Sequence, residues 1–253
     1  MSIKLADIHS ESLVADIVSQ DYRAADVFLR YGIDFCYEGN WSLGAACLSK
    51  DLDPGSIIEE LKKNAQGFRL SSELAYEEWS LGFLIDFIIN VHHYYLRKAM
   101  PAAASYISVL LDAGRPERYP EAPRLRELVG RLQAESLPHL QQEEEVLFPY
   151  IKQVAYARLY REPYADLLVK TLKKPLQQIS AREHELFNEI LGELRELTGG
   201  YTPPADACLA HRVAFYKLKE LDEDIVQHLY LENHILFPRA IQMELDILNA
   251  KGS

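Results

Sequence analysis

The chain has 253 residues, 48% of them hydrophobic, and a formal net charge of −11. That apolar content suffices for one large packed domain, alone or with a small one, while so acidic a surface repels nucleic acid and anionic membranes. The most apolar run, LGFLIDFIINV, is short and broken by Asp86 and Asn90, so no membrane span is expected, and MSIKLADIHSES lacks the apolar run of a signal peptide.

The elements read as helical from the start. SLVADIVSQ and YRAADVFLRYG are short helices, the second stopped by Gly32. SLGAACLSKDL and DPGSIIEELKK follow, the last with Asp53 as N-cap and Pro54 in the first turn. Together they predict a small helical domain over residues 1–66, with KNAQGFRLSSEL as linker. Four longer helices are predicted over 77–100, 124–154, 164–197 and 207–249. The breaker-rich loops DAGRPERYPEAP and TGGYTPPAD separate the first from the second and the third from the fourth. No period-two strand pattern appears. The expected fold is therefore all-α: an up-down-up-down four-helix bundle over 72–253, preceded by the small domain. The three cysteines, Cys36, Cys47 and Cys208, are scattered and odd in number, which suits a reducing cytoplasm better than a disulfide framework.

A bundle of this kind needs no site, but its histidines suggest one. HLQQEEEVLFP begins at His139 and HLYLENHILFP at His228, each with Glu four residues on, at Glu143 and Glu232. Residues four apart share a helical face, so each pair can point at one centre. Leu125, Leu128, Leu132, Val146 and Leu147 place the first pair inward; Leu221, Ile225, Leu231 and Ile235 do the same for the second. His184 shares its face with Leu176, Phe187, Leu191 and Leu194. On the first long helix both His92 and His93 have apolar company, and periodicity does not choose between them. A lone histidine on an apolar face is usually a satisfied core residue. Four inward imidazoles and two inward carboxylates in one core need a cation. Six ligands exceed one structural zinc and suit two metals, each with two imidazoles, bridged by the two carboxylates. Imidazole and carboxylate without thiolate, with open positions, favour non-haem iron, though manganese or zinc fit the same donors. The Glu-x-x-His order of ferritin-like sites is absent, as is the zinc-protease His-Glu-x-x-His, because Asn188 follows His184-Glu185 in the place of the second His.

These pieces, with LIDFIINVHHYYLRKAMP, REHELF, YGIDFCYEGN and AACL, resemble the iron–sulfur cluster repair di-iron proteins, the RIC family that includes ScdA and YtfE, over nearly the whole chain. The resemblance implies a hemerythrin-like domain after an ScdA-type N-terminal domain. Its His eight residues before a helix-ending Pro falls on His93, with Pro101 as marker, and its other ligand positions fall on His139, Glu143, His184, His228 and Glu232. It implies two non-haem iron ions, oxo- and carboxylate-bridged, and a role in repairing clusters damaged by nitric oxide or oxidative stress. Iron donation, nitric oxide removal, or both, would serve that role. A nitric oxide reductase, or a sensor or store that binds oxygen or nitric oxide without turnover, are the alternatives. Damaged iron–sulfur proteins are the implied partners; a homodimer is compatible, and the sequence does not specify the oligomeric state. The family's vicinal Cys-Cys reads Cys36-Tyr37 here, which puts redox roles of that motif in doubt. The family also often has a His in the loop after the first long helix, and this chain has none. His92 is left for packing or a hydrogen bond to a bridging carboxylate, and His9, His211 and His234 lie outside the ligand set.

Overall fold

The computed structural model describes residues 8–35, 38–65, 74–112, 119–172 and 176–250. Among them regular structure is helical throughout, apart from one isolated β-bridge between Leu13 and Ser42. No described helix is long and apolar enough to cross a membrane.

Four short helices come first: α1 (Val14–Gln20), α2 (Ala24–Arg30), α3 (Leu43–Leu48) and α4 (Pro54–Ala65). Helices of six or seven residues do not persist alone in water, so packing must hold them. Val14, Ile17, Val18, Ala25, Val27 and Phe28 are all buried. The stops and starts follow local chemistry. Gly32 takes φ +65° just past α2, where Ile33 N–H donates to the Phe28 carbonyl at 2.9 Å. The Ser42 hydroxyl caps α3 by accepting from Ala45 N–H, and the Asp53 carboxylate caps α4 by accepting from Ser56 N–H at 2.8 Å. Cys36 and the segment expected to link the two domains lie outside the described residues.

The first long helix begins after a 3-10 turn at Tyr76–Glu78 and is capped by Ser80, whose Oγ accepts from Phe83 N–H. It runs over 81–112 as α5 (Leu81–Phe87), a π turn (Ile88–His93) and α6 (Tyr94–Asp112). The expected stop at Pro101 does not occur. Proline removes only the bond to the Arg97 carbonyl, and burial of Met100, Ala103, Tyr106, Ile107 and Leu110 along one face carries the helix on. The second long helix spans 122–159: α7 (Ala122–Gln142), a π turn (Glu143–Leu147) and α8 (Phe148–Leu159). The third long segment is described as two elements, on either side of residues 173–175. α9 (Ala165–Leu172) packs on α8 and α12, whereas α10 (Leu176–Leu197) packs on α7. The fourth spans 209–249: α11 (Leu209–Tyr230), a π turn (Leu231–Leu236) and α12 (Phe237–Asn249).

α6 packs against α7 and α11, α7 against α10, and α10 against α12 of the fourth long helix, which closes the bundle. Its buried apolar residues fall into two clusters. One contains Leu96, Tyr106, Leu125, Leu132, Leu191, Leu221 and Ile225, and continues through Phe28, Leu43 and Leu61 of the small helices. The other contains Leu84, Ile88, Leu147, Ile151, Val169, Leu236 and Ala240. The small domain thus shares a core with one end of the bundle. At that junction Lys217, 8% exposed, reaches Asp26 at 2.5 Å and Glu220 at 2.9 Å, while the Tyr106 hydroxyl donates to Asp26 at 2.7 Å. Burial alone would lower the Lys217 pKa, but the two carboxylates outweigh it and raise the value. Asp26→Ala removes the acceptor of Tyr106 and one of the two counter-charges of Lys217. It is expected to lower stability by about 1–2 kcal/mol, with Asp26 partly exposed and Glu220 still present. Thermal unfolding of the full chain should then shift down by roughly 2–8 °C.

Candidate metal centre

The five residues singled out from the spacing meet His93, the choice of the resemblance, between the two apolar clusters. His93 ends the π turn of the first long helix; His139 sits in the last turn of α7 and Glu143 opens the next π turn. His184 comes from α10, His228 from the end of α11, and Glu232 from the π turn that follows it. Each is at most 3% exposed. Their ligand-type atoms form two overlapping groups, His93-Glu143-His228-Glu232 and His139-Glu143-His184-Glu232, each within 4.8 Å throughout. The two carboxylates belong to both groups.

The spacings favour a cation over direct hydrogen bonding. The Nε2 atoms of His93 and His228 face each other at 3.1 Å, and those of His139 and His184 at 3.3 Å. Glu143 Oε2 lies 3.5 Å from His93 Nε2 and 3.4 Å from His139 Nε2. Glu232 lies 3.0 Å from His228 Nε2 through Oε1 and 3.5 Å from His184 Nε2 through Oε2. Two ligand atoms bound at about 2.1 Å and at right angles to one ion stand about 3 Å apart, which is the scale of these separations.

The outward nitrogens say which way the inward ones face. His93 Nδ1 lies 2.7 Å from Glu144 Oε1, which also accepts from Arg97 at 2.8 Å. His184 Nδ1 lies 3.1 Å from Asn233 Oδ1. A carboxylate or amide oxygen at Nδ1 fixes the proton there and leaves Nε2 a bare lone pair. Burial, reinforced by the His228 imidazole, pushes the His93 pKa down to about 4; burial takes His139 down to about 3 and lowers His184. Burial also pushes Glu232 up, but His228, His184 and His139 outweigh it and hold the carboxyl below its usual range. Neutral imidazole lone pairs converging on carboxylates, in a dry layer, make an electron-rich cage that fits a divalent metal and suits little else.

Periodicity had not revealed the supporting residues. Glu144, within an acidic run, turns onto His93 of another helix, and Asn233 turns onto His184. His92, buried beside His228 with ring centroids 6.0 Å apart, faces Asp224 Oδ1 at 3.1 Å rather than a carboxylate of the shared pair. None of these contacts lies within one helix, so no single-helix pattern carries them. Val146, expected on the inward face, is 39% exposed, because the π turn rotates the helix between Glu143 and Leu147. The side chain of Leu176 lies outside the described residues. His211 pairs with Glu121 at 3.2 Å away from the six, and the exposed His234 lies against Tyr230. At neutral pH, nitrogen-15 NMR of the metal-free chain should find the proton of His93 and His184 on Nδ1. Asn233→Ala should turn His184, and only His184, into a tautomer mixture.

Comparison with known proteins gives the geometry a lineage. The hemerythrin HHE cation-binding domain matches residues 84–240, and ScdA_N, a domain of unknown function, matches residues 10–65. An iron–sulfur cluster repair protein ScdA of Staphylococcus haemolyticus is 28% identical over 91% of this chain and 98% of its own length. An iron–sulfur cluster repair protein YtfE from an Enterobacter species is 30% identical over 91% of this chain and 97% of its own. Another YtfE, from Escherichia coli, is 30% identical over 88% and 93%. The chain belongs to the family of ScdA and YtfE, in which an ScdA_N domain precedes a hemerythrin HHE cation-binding domain.

Proposed function

We propose that this protein is an iron-dependent repair factor for damaged iron–sulfur clusters, and that its centre holds two iron ions. His93 and His228 would hold one, His139 and His184 the other, with Glu143 and Glu232 spanning both. The observation that carries the reading is the pair of overlapping four-residue groups that share both carboxylates. The repair assignment draws support from relatives of nearly the same length that bear that name. A cytoplasmic setting and iron–sulfur proteins as clients accord with it.

Iron bound here would supply open positions for a small ligand such as nitric oxide or oxygen, and is itself the cargo a damaged cluster lacks. The chain's own contribution is positional. Burial keeps His93, His139 and His184 neutral and ready to bind. Glu144, tied to Arg97, holds the ring of His93 in place, and Asn233 does so for His184; such outer contacts tune ligand basicity and orientation. Glu143 and Glu232, each from a π turn rather than a regular α turn, would supply the negative charge that holds the ions in this buried layer. Phe148, stacked on His93, and Phe187, edge-on to His139, are buried and cover those rings with apolar surface.

Metal analysis of the anaerobically purified full chain should give two iron ions per molecule. Glu143→Gln and Glu232→Gln should each lower that number or abolish the spectrum of a coupled pair; one ion per chain after full reconstitution would remove the two-iron assignment. Iron-loaded protein should also restore the cluster absorbance of a nitric oxide-treated iron–sulfur protein, and Glu232→Gln should not. A loaded chain that takes up nitric oxide yet restores no cluster would favour the binding alternative.

The adjacent histidines provide a control. His93→Ala should lose metal, whereas His92→Ala should retain it, since His92 is directed to Asp224. The result is read from iron content alone, and loss in the second variant would place the wrong histidine in the centre.

A further inference from the structure

Between the small domain and the bundle lies a cleft of about 590 Å3, enclosed by α2 on one side and α6 on the other, with Lys217 of α11 at one end. Its size falls in the range of small-molecule sites, about 300–1,000 Å3. The floor is apolar, formed by Leu29, Ala99, Ala102 and Ala103, and the rim carries Arg30, Arg97 and Lys98. In a chain of net charge −11 such a concentration of cations is unusual.

These cations retain donor capacity. Arg97 gives one N–H to Glu144 at 2.8 Å, which leaves most of its five donors uncommitted. Arg30 pairs with Glu60 at 2.6 Å and gives its Nε–H to the Asp26 carbonyl at 3.3 Å. Lys98 meets no carboxylate among the described residues: its ammonium lies against the Tyr94 hydroxyl and 4.0 Å above the Tyr94 ring. The one acidic side chain on the cleft wall among the described residues, Asp26, is engaged by Lys217, which it shares with Glu220, and by the Tyr106 hydroxyl. The metal centre does not account for Lys98 or Arg30.

We propose that this cleft binds a small organic anion, with its carboxylate or phosphate head on Arg97, Lys98 and Arg30 and its apolar body over Leu29, Ala99 and Ala102. The guanidinium groups match a planar or tetrahedral oxyanion by paired N–H donors, and the ammonium adds a point charge. The apolar floor selects against a bare inorganic ion. None of its rim residues is among the six that surround the metal position, and of the three only Arg97 touches their support, through Glu144.

Isothermal titration of iron-loaded full-length protein with phenyl phosphate, benzoate and inorganic phosphate tests it at low ionic strength. At least one of the two aromatic anions should bind with Kd below about 1 mM, roughly ten-fold or more tighter than inorganic phosphate. Whichever aromatic anion binds better identifies the head group. Lys98→Glu should weaken that binding about ten-fold or more, and Ala102→Phe, which fills the floor, should do the same; iron content should be unchanged in both. The proposal is overturned if neither aromatic anion binds by about 10 mM. It is equally overturned if all three bind alike and both variants leave the affinity intact, the signature of an adventitious ion only.

Discussion

One constraint shapes this molecule: six polar, titratable side chains must lie together in the middle of an apolar bundle. An unpaired carboxylate there is among the costliest things a fold can bury. The chain answers by gathering all six into one layer and dividing its hydrophobic core in two around them. Leu96, Leu132, Leu140 and Ile225 pack on one side, and Ile88, Leu147, Ile151 and Leu236 on the other. Because every long helix contributes a residue to that layer, none can slide along its axis without withdrawing a ligand-type atom. The layer therefore sets the register of the bundle as well as its chemistry.

The same layer is tied to the surface at one point. Glu144 stands between His93, fully buried, and Arg97, whose side chain is 39% exposed. A buried imidazole is thereby oriented by a carboxylate whose own position is fixed by a guanidinium at solvent. Asn233 orients His184 with a neutral amide, so the two halves of the centre are supported differently although their His-x-x-x-Glu plans match.

What could be read from the sequence was whatever lies on one helix. The pairs His139–Glu143 and His228–Glu232 declare themselves because one turn of helix joins them, and the surrounding leucines say which way they face. The N-caps Ser42 and Asp53 and the stop at Gly32 are equally local. Contacts between helices had no such signature: Glu144 on His93, Asp224 on His92 and Lys217 on Asp26 join residues far apart in the chain. Pro101 misled for a related reason. Its local chemistry argues for a stop, and only the long-range burial of Tyr106, Ile107 and Leu110 overrides it. The three π turns were also hidden, since an extra residue per turn leaves no mark in composition.

Those π turns have a consequence for changes in chain length. A π turn is an α-helix with one residue inserted, and in three of the long helices that residue lies at the level of the centre. In the second and fourth long helices the turn carries the carboxylate, Glu143 or Glu232, just after the imidazole, and beyond the turn Ile151 and Ala240 are again buried. A straight helix of the same sequence, one residue shorter, would turn the distal half by about 100° and bring out-facing residues into the second cluster. A single-codon deletion in a helix that looks uniform on paper would thus disturb the whole distal half of the segment and not only the residue lost.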